Sequence, residues 1–194
     1  MTDRLKIITL NQPGVADFSA ARNKLMTGQT AAWLLFLDSD EQLSALLDPD
    51  KLDQRYNYAF KRDDWFLGRK LSFGETAAVR LVRLVQPGTG KWQGKVHEEF
   101  VSKLPMKLLP QRLLHRRRIS LSRFLDRLNW YSDLRAQELN RFSGFALIFY
   151  PIGKFVKNYF FHLGFLDGTP GLAMAFFMSL HSLFVRIKLY EKAR

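Results

Sequence analysis

Trp33-Leu34-Leu35-Phe36-Leu37 runs straight into Asp38-Ser39-Asp40-Glu41. Five large apolar side chains in succession suit a strand covered on both faces, the kind an α/β sheet provides. The three acids then fall at the strand's carboxyl end, where open α/β sheets hold their ligands. Two carboxylates separated by one residue can share a hard divalent cation, Mg2+ or Mn2+, and through it a diphosphate. The same acids also suit the cap and first turn of a helix beginning at Gln42.

The flanking sequence extends the α/β reading. Lys6–Leu10 is a β-branched strand closed by the turn cluster Asn11-Gln12-Pro13-Gly14. It has the look of an interior strand. Asp17 is placed to cap a helix whose apolar face is Phe18, Ala21, Leu25 and Met26. On that helix Arg22 has the chemistry to reach a phosphate and Asn23 a sugar or ribose hydroxyl. Both also fit a plain amphipathic helix. Strand, helix and strand make a βαβ unit with the acids at its exit. A short helix is expected over Gln42–Leu47, a half-exposed strand over Gln54–Lys61, a turn and short strand over Asp63–Arg69, and a further strand over Ala78–Val85. After the Gly/Pro loop at 86–90 come Trp92 and His97-Glu98-Glu99, and a return through Pro105 and Pro110 to His115. A carboxylate beside a histidine suits a general base or a metal ligand. An exposed acid pair on a strand is the plainer reading.

The last third changes character. Ser120 is placed to cap a helix reaching about Phe142, and residues 142–190 are strongly apolar, with much of the chain's 17 Phe. Thirty Lys and Arg against 18 acids give a net charge of +12, which calls for an anionic partner. Basic and Phe-rich together favour an anionic membrane surface, entered by amphipathic helices with Lys and Arg at the headgroups. A buried helical subdomain or a homodimer face is the other way to cover such helices. Gly171–Val185, with His181 and two serines, is short for a membrane span. The Arg112–Arg123 cluster has no interleaved aromatics and belongs to no nucleic-acid-binding module, so no nucleic-acid partner is expected. Zero cysteines exclude disulfides and thiolate metal sites.

Taken together, these residues resemble glycosyltransferase family 2, in its bacterial branch of lipopolysaccharide-core and cell-envelope sugar transferases. Asp17-Phe18…Arg22-Asn23, Trp33 through Glu41, Tyr58…Arg62…Trp65…Gly68, Gly74-Glu75 and Trp92…Val96-His97-Glu98 follow one another in family order. Asn129-Trp130-Tyr131-Ser132, Pro151…Lys154-Phe155 and Gly164–Gly168 continue the series. The resemblance implies a GT-A fold and transfer of a sugar, with inversion, from a nucleotide-sugar donor to an envelope glycan or glycolipid acceptor. It implies Asp38 and Asp40 as ligands of a divalent cation, and Asp17, Arg22, Asn23, Asp38 and Trp92 as donor- or substrate-binding residues. Glu98 is implied as general base, with Glu99 as its competitor and His97 as a metal or orienting group.

The family's usual first strand, helix and second strand, which carry much of the nucleotide contact, have no counterpart in this sequence. The expectation is therefore an N-terminally truncated GT-A-like domain over 1–118, whose missing unit lies upstream or on a partner chain. A C-terminal region of amphipathic helices over 119–194 would attach it peripherally to the cytoplasmic face of the inner membrane. The alternative is a non-catalytic membrane-surface binding protein derived from such an enzyme.

Overall fold

The expected strand–helix–strand unit forms as β1 (Leu5–Leu10), α1 (Phe18–Met26) and β2 (Trp33–Asp38). We describe it from a computed structural model covering residues 4–10, 17–94, 98–116, 120–139 and 141–194. Asp17 caps α1 by accepting from the Ala20 N–H at 2.8 Å. β1 and β2 pair in parallel from Leu5↔Trp33 to Leu10↔Asp38. β2 is covered on both faces, as its unbroken apolar run requires. Leu34 and Phe36 pack with Ile8, Val85, Trp92 and Phe100 on one side. Trp33 and Leu35 pack with Tyr58, Phe60, Leu84 and Leu113 on the other.

Beyond β2 the sheet is mixed. β3 (Glu41–Leu43), β4 (Asn57–Phe66), β6 (Arg80–Val85) and β9 (Met106–His115) complete the order β1-β2-β6-β4-β9-β3. β2/β6, β6/β4 and β3/β9 are antiparallel. Only Ser39 and Asp40 separate β2 from β3 in sequence, yet β6, β4 and β9 lie between them in the sheet. The sheet therefore curls, bringing its last strand back to the carboxyl end of β2. A separate hairpin pairs β7 (Gly90–Gln93) with β8 (Glu99–Ser102). Gly90 is required there, because a Cβ would collide with the Val101 carbonyl oxygen.

Several sequence expectations are corrected. β1 is an edge strand rather than an interior one, and its Ile7 is exposed. The helix expected over Gln42–Leu47 is replaced by β3, which pairs with Leu113–His115. The alternation over 54–61 continues through the expected turn to Phe66. Its last three residues pair with β5 (Arg69–Leu71) across the tight turn at Leu67-Gly68. The helix from Ser120 stops at Glu138.

The chain folds as two compact units, 1–63 with 79–116 and 64–78 with 117–194. The first is the α/β unit. The second consists of β5, α2 (Leu121–Glu138), α3 (Gly144–Val156) and α4 (Thr169–Lys192). Segment 72–75 belongs to it through hydrogen bonds. Asp167 accepts from the Ser72 and Phe73 N–H groups, Asn158 from the Glu75 N–H, and Lys154 pairs with Glu75 at 2.5 Å. Val185 and Leu189 of α4 bury against Ala136 of α2. Phe66, Phe124 and Phe177 form a second cluster, with ring centroids 5.0–6.0 Å apart. Among the described residues, α4 is the one helix long and apolar enough to cross a membrane, at 24 residues, although only 22% of its apolar window is buried.

Candidate functional site

The curl of the sheet sets the site. Asp38 ends β2, Glu41 begins β3, and Arg83 lies on β6 beside β2. Arg22 projects from the second turn of α1, and Glu98 directly precedes β8. These five charges form one network. Arg22 donates from Nη2 to Asp38 Oδ1 at 2.7 Å and from Nε to Glu98 Oε1 at 2.9 Å. Arg83 donates to both Glu41 oxygens at 3.0 Å and to Asp38 Oδ2 at 3.1 Å, and its Nη1 stands 3.8 Å from Glu98. Glu41 also accepts from the Asp38 N–H at 3.1 Å, which locks the β2–β3 turn.

Burial makes these contacts consequential. The side chains of Arg22, Arg83 and Glu41 are 1%, 5% and 1% exposed, and Asp38 is the open corner at 35%. Burial works against the Arg83 charge, but the carboxylates of Glu41, Asp38 and Glu98 outweigh it and hold its pKa above the ordinary guanidinium value. The forked guanidinium geometry is what lets one side chain serve two carboxylates. The Arg22 guanidinium also lies over the Trp92 ring at 5.0 Å. Among the described residues, Arg22 Nη1 and the Trp92 indole N–H are buried donors without a partner.

The structure brings together Arg22, Asp38, Trp92 and Glu98, and gives other expected site residues different work. Asn23 clamps β7 to α1, donating to the Trp92 carbonyl and accepting from its N–H, each at 2.9 Å. Asp17 accepts from Ser19 and from the Ala20 N–H at the start of α1. Asp40 turns to His115, 3.6 Å away. Glu99 is on β8, paired in register with Gln93. His97 lies outside the described residues.

Asp38 and Asp40, as arranged, do not fit a shared divalent cation. Both Asp38 oxygens accept from buried guanidiniums, and Asp40 is drawn to His115. Among the described residues, no group of three or more His, Asp or Glu is placed to hold a metal. One participant escapes the sequence reading: Arg83 is hidden in the apolar strand Val82-Arg83-Leu84. Glu41, read from sequence as one of three acids at the strand end or the start of a helix, is a buried acid on β3. The one signal is a lone Arg flanked by buried-type residues, which requires a carboxylate partner somewhere in the fold. Comparison with protein-family models and with curated proteins found no match for this chain.

Proposed function

We propose that the first unit is a GT-A-type module of an inverting family 2 glycosyltransferase. It would move a sugar from a nucleotide-sugar donor to an envelope glycan or glycolipid of the lipopolysaccharide type. The observation that carries the reading is the Arg22 guanidinium, which holds Asp38 at the end of β2 and Glu98 before β8 at one point. In this reading Asp38, the open corner of the network, faces the donor. The Glu98 carboxylate takes the proton of the acceptor hydroxyl as its oxygen bonds to the anomeric carbon. The bond to the nucleoside diphosphate breaks on the opposite side, which inverts the centre. The second unit would hold the module peripherally at the cytoplasmic face of the inner membrane. Its exposed aromatic surface and the chain's charge of +12 support that placement.

The test is transfer from radiolabelled nucleotide sugars to an envelope extract. Glu98→Gln is expected to lower turnover by about 100-fold or more, and Asp38→Asn, at the corner that faces the donor, to impair it as well. Unchanged turnover in both variants would refute the reading.

A specific observation favours a second reading, a non-catalytic membrane-surface binding protein. Asp17, Asn23 and Asp38 all make hydrogen bonds that hold the fold together. The same assay decides: no transfer from any nucleotide sugar, with salt-sensitive liposome binding retained, selects this alternative.

A further inference from the structure

The inference concerns how the second unit meets lipid, and it rests on the membrane half of the proposed function, not on the transferase half. Within α3 only Pro151 is buried. Phe145, Ile148, Phe149 and Ile152, spaced i, i+3, i+4 and i+7, form a stripe in which each residue is more than half exposed. The turn that follows adds Phe160 and Phe161, the latter 80% exposed. A contiguous apolar face of this kind on a folded chain marks an interaction surface.

α4 is the longer apolar helix, but its surroundings exclude a crossing. Lys188 donates to the Asn129 carbonyl and to Ser132, and Lys192 to the Ala136 carbonyl, all on α2. α2 carries Asp126, Arg127, Asp133 and Glu138 in water-facing positions. Drawing α4 through a bilayer would bring these charges to membrane depth, where each Asp or Arg near the centre is costly. α4 thus contacts polar α2 and also apolar α3, which it meets through Ser179–Pro151 and Arg186–Tyr150.

Charge selects the occupant of the α3 face. From Arg141 to Tyr190 the sequence has five Lys or Arg and one acid, Asp167, whose carboxylate is taken by the Ser72 and Phe73 N–H groups; Lys154 and Lys157 share Glu75, and Lys188 pairs with Asp133, so five bases against three acids leave a net charge of +2. Anionic headgroups complement that net positive rim. A second copy of the chain would bring an identical positive rim against it. We propose that α3 and the turn after it lie in the plane of an anionic leaflet at the headgroup–acyl boundary. α4 stays behind them as the layer joining α3 to α2, and does not span.

The chain has no cysteine, so single-cysteine variants report position directly. Phe149→Cys, Phe161→Cys and, on α2, Arg127→Cys would each carry an environment-sensitive dye. Each is mixed with phosphatidylglycerol or phosphatidylcholine vesicles bearing brominated acyl chains. Quenching at 149 and 161 on phosphatidylglycerol, with none at 127 and a C-terminal tag still open to external protease, is the expected result. The double variant Phe149→Asp/Ile152→Asp should bind these vesicles about tenfold or more weakly. Vesicle binding without quenching at 149 and 161 overturns the placement but leaves the membrane reading standing. A protected tag overturns it in favour of a spanning α4. No vesicle binding at all, with self-association that the double variant abolishes, overturns both in favour of a second copy.

Discussion

Arg22 and Arg83 in the first unit are almost wholly buried, whereas Phe145 and Phe161 in the second expose 68% and 80% of their surface. Each arrangement reverses the usual distribution, and each has its own compensation. The buried arginines are matched by Asp38, Glu41 and Glu98 within one network. No described residue covers the exposed phenylalanines, and the proposed lipid contact is what would cover them. The first unit settles the charges of this network internally, and the second leaves a large apolar surface open.

The largest expected effect comes from breaking the buried network. Arg83→Leu leaves the buried Glu41 carboxylate without its guanidinium partner, while Asp38 keeps Arg22, and urea unfolding should show a loss of about 3–5 kcal/mol. Lys at the same position should not rescue it, because an ammonium cannot serve both carboxylates as the fork does. Arg83→Leu combined with Glu41→Leu should recover part of the loss, since the desolvation of both charges disappears with them. A loss below about 1 kcal/mol in the single variant would show that the network is hydrated, and the contrast between the units would fall.

The second unit supplies the matching test. Leu189 is buried against α2, and Leu189→Ala should cost about 2–5 kcal/mol. Phe149→Ser on the α3 stripe should leave stability within about 0.5 kcal/mol while weakening vesicle binding. Equal destabilisation by the two would mean that the α3 stripe is covered in solution.

These residues also show what the sequence can and cannot reveal. β2, α1 and the start of α2 are legible because each has a local signal: an unbroken apolar run, Asp17 before an apolar face, and Ser120 before another. Glu41 is not legible. Whether it starts a helix or a strand is decided by Arg83, 42 residues away, and by register with His115. The grouping of 64–78 with the C-terminal helices is hidden for the same reason. It depends on Asp167 and Asn158 accepting from backbone N–H groups 83–95 residues earlier, contacts with no periodicity to read. In the candidate site, residue identities suggest the chemistry, but only the fold shows which of them are committed to one another.

Asn23 separates those two roles. Its side chain makes two hydrogen bonds to the Trp92 backbone, and Trp92 is buried against Phe36 and Phe100. Asn23→Ala strands a buried N–H and a carbonyl and should cost about 1–3 kcal/mol in chemical denaturation. A variant that kept full stability but bound donor more weakly would return Asn23 to the sugar-contact role expected from sequence.

The smallest effect is on an ion pair of the same chemistry as the network but left in water. Arg55 donates to Asp53 through Nε and Nη2 at 2.6–3.0 Å, and its backbone N–H donates as well. Those hydrogen bonds, led by the side-chain ones, lower the Asp53 pKa to about 2. A carboxylate depressed in the folded state binds its proton more readily when unfolded. Its contribution is therefore fully present above the unfolded value, about 3.9, and is lost as pH falls through about 2. Carboxyl NMR titration should show Asp53 ionised to about pH 2 in the parent and moving back toward the ordinary range in Arg55→Ala. At pH 7 the same substitution should lower stability only slightly, far less than Arg83→Leu, because an exposed pair is screened and mobile. A large neutral-pH loss from Arg55→Ala would mean that ion pairs at this protein's surface and in its interior act alike, and burial would no longer explain why the Arg22–Arg83 network matters.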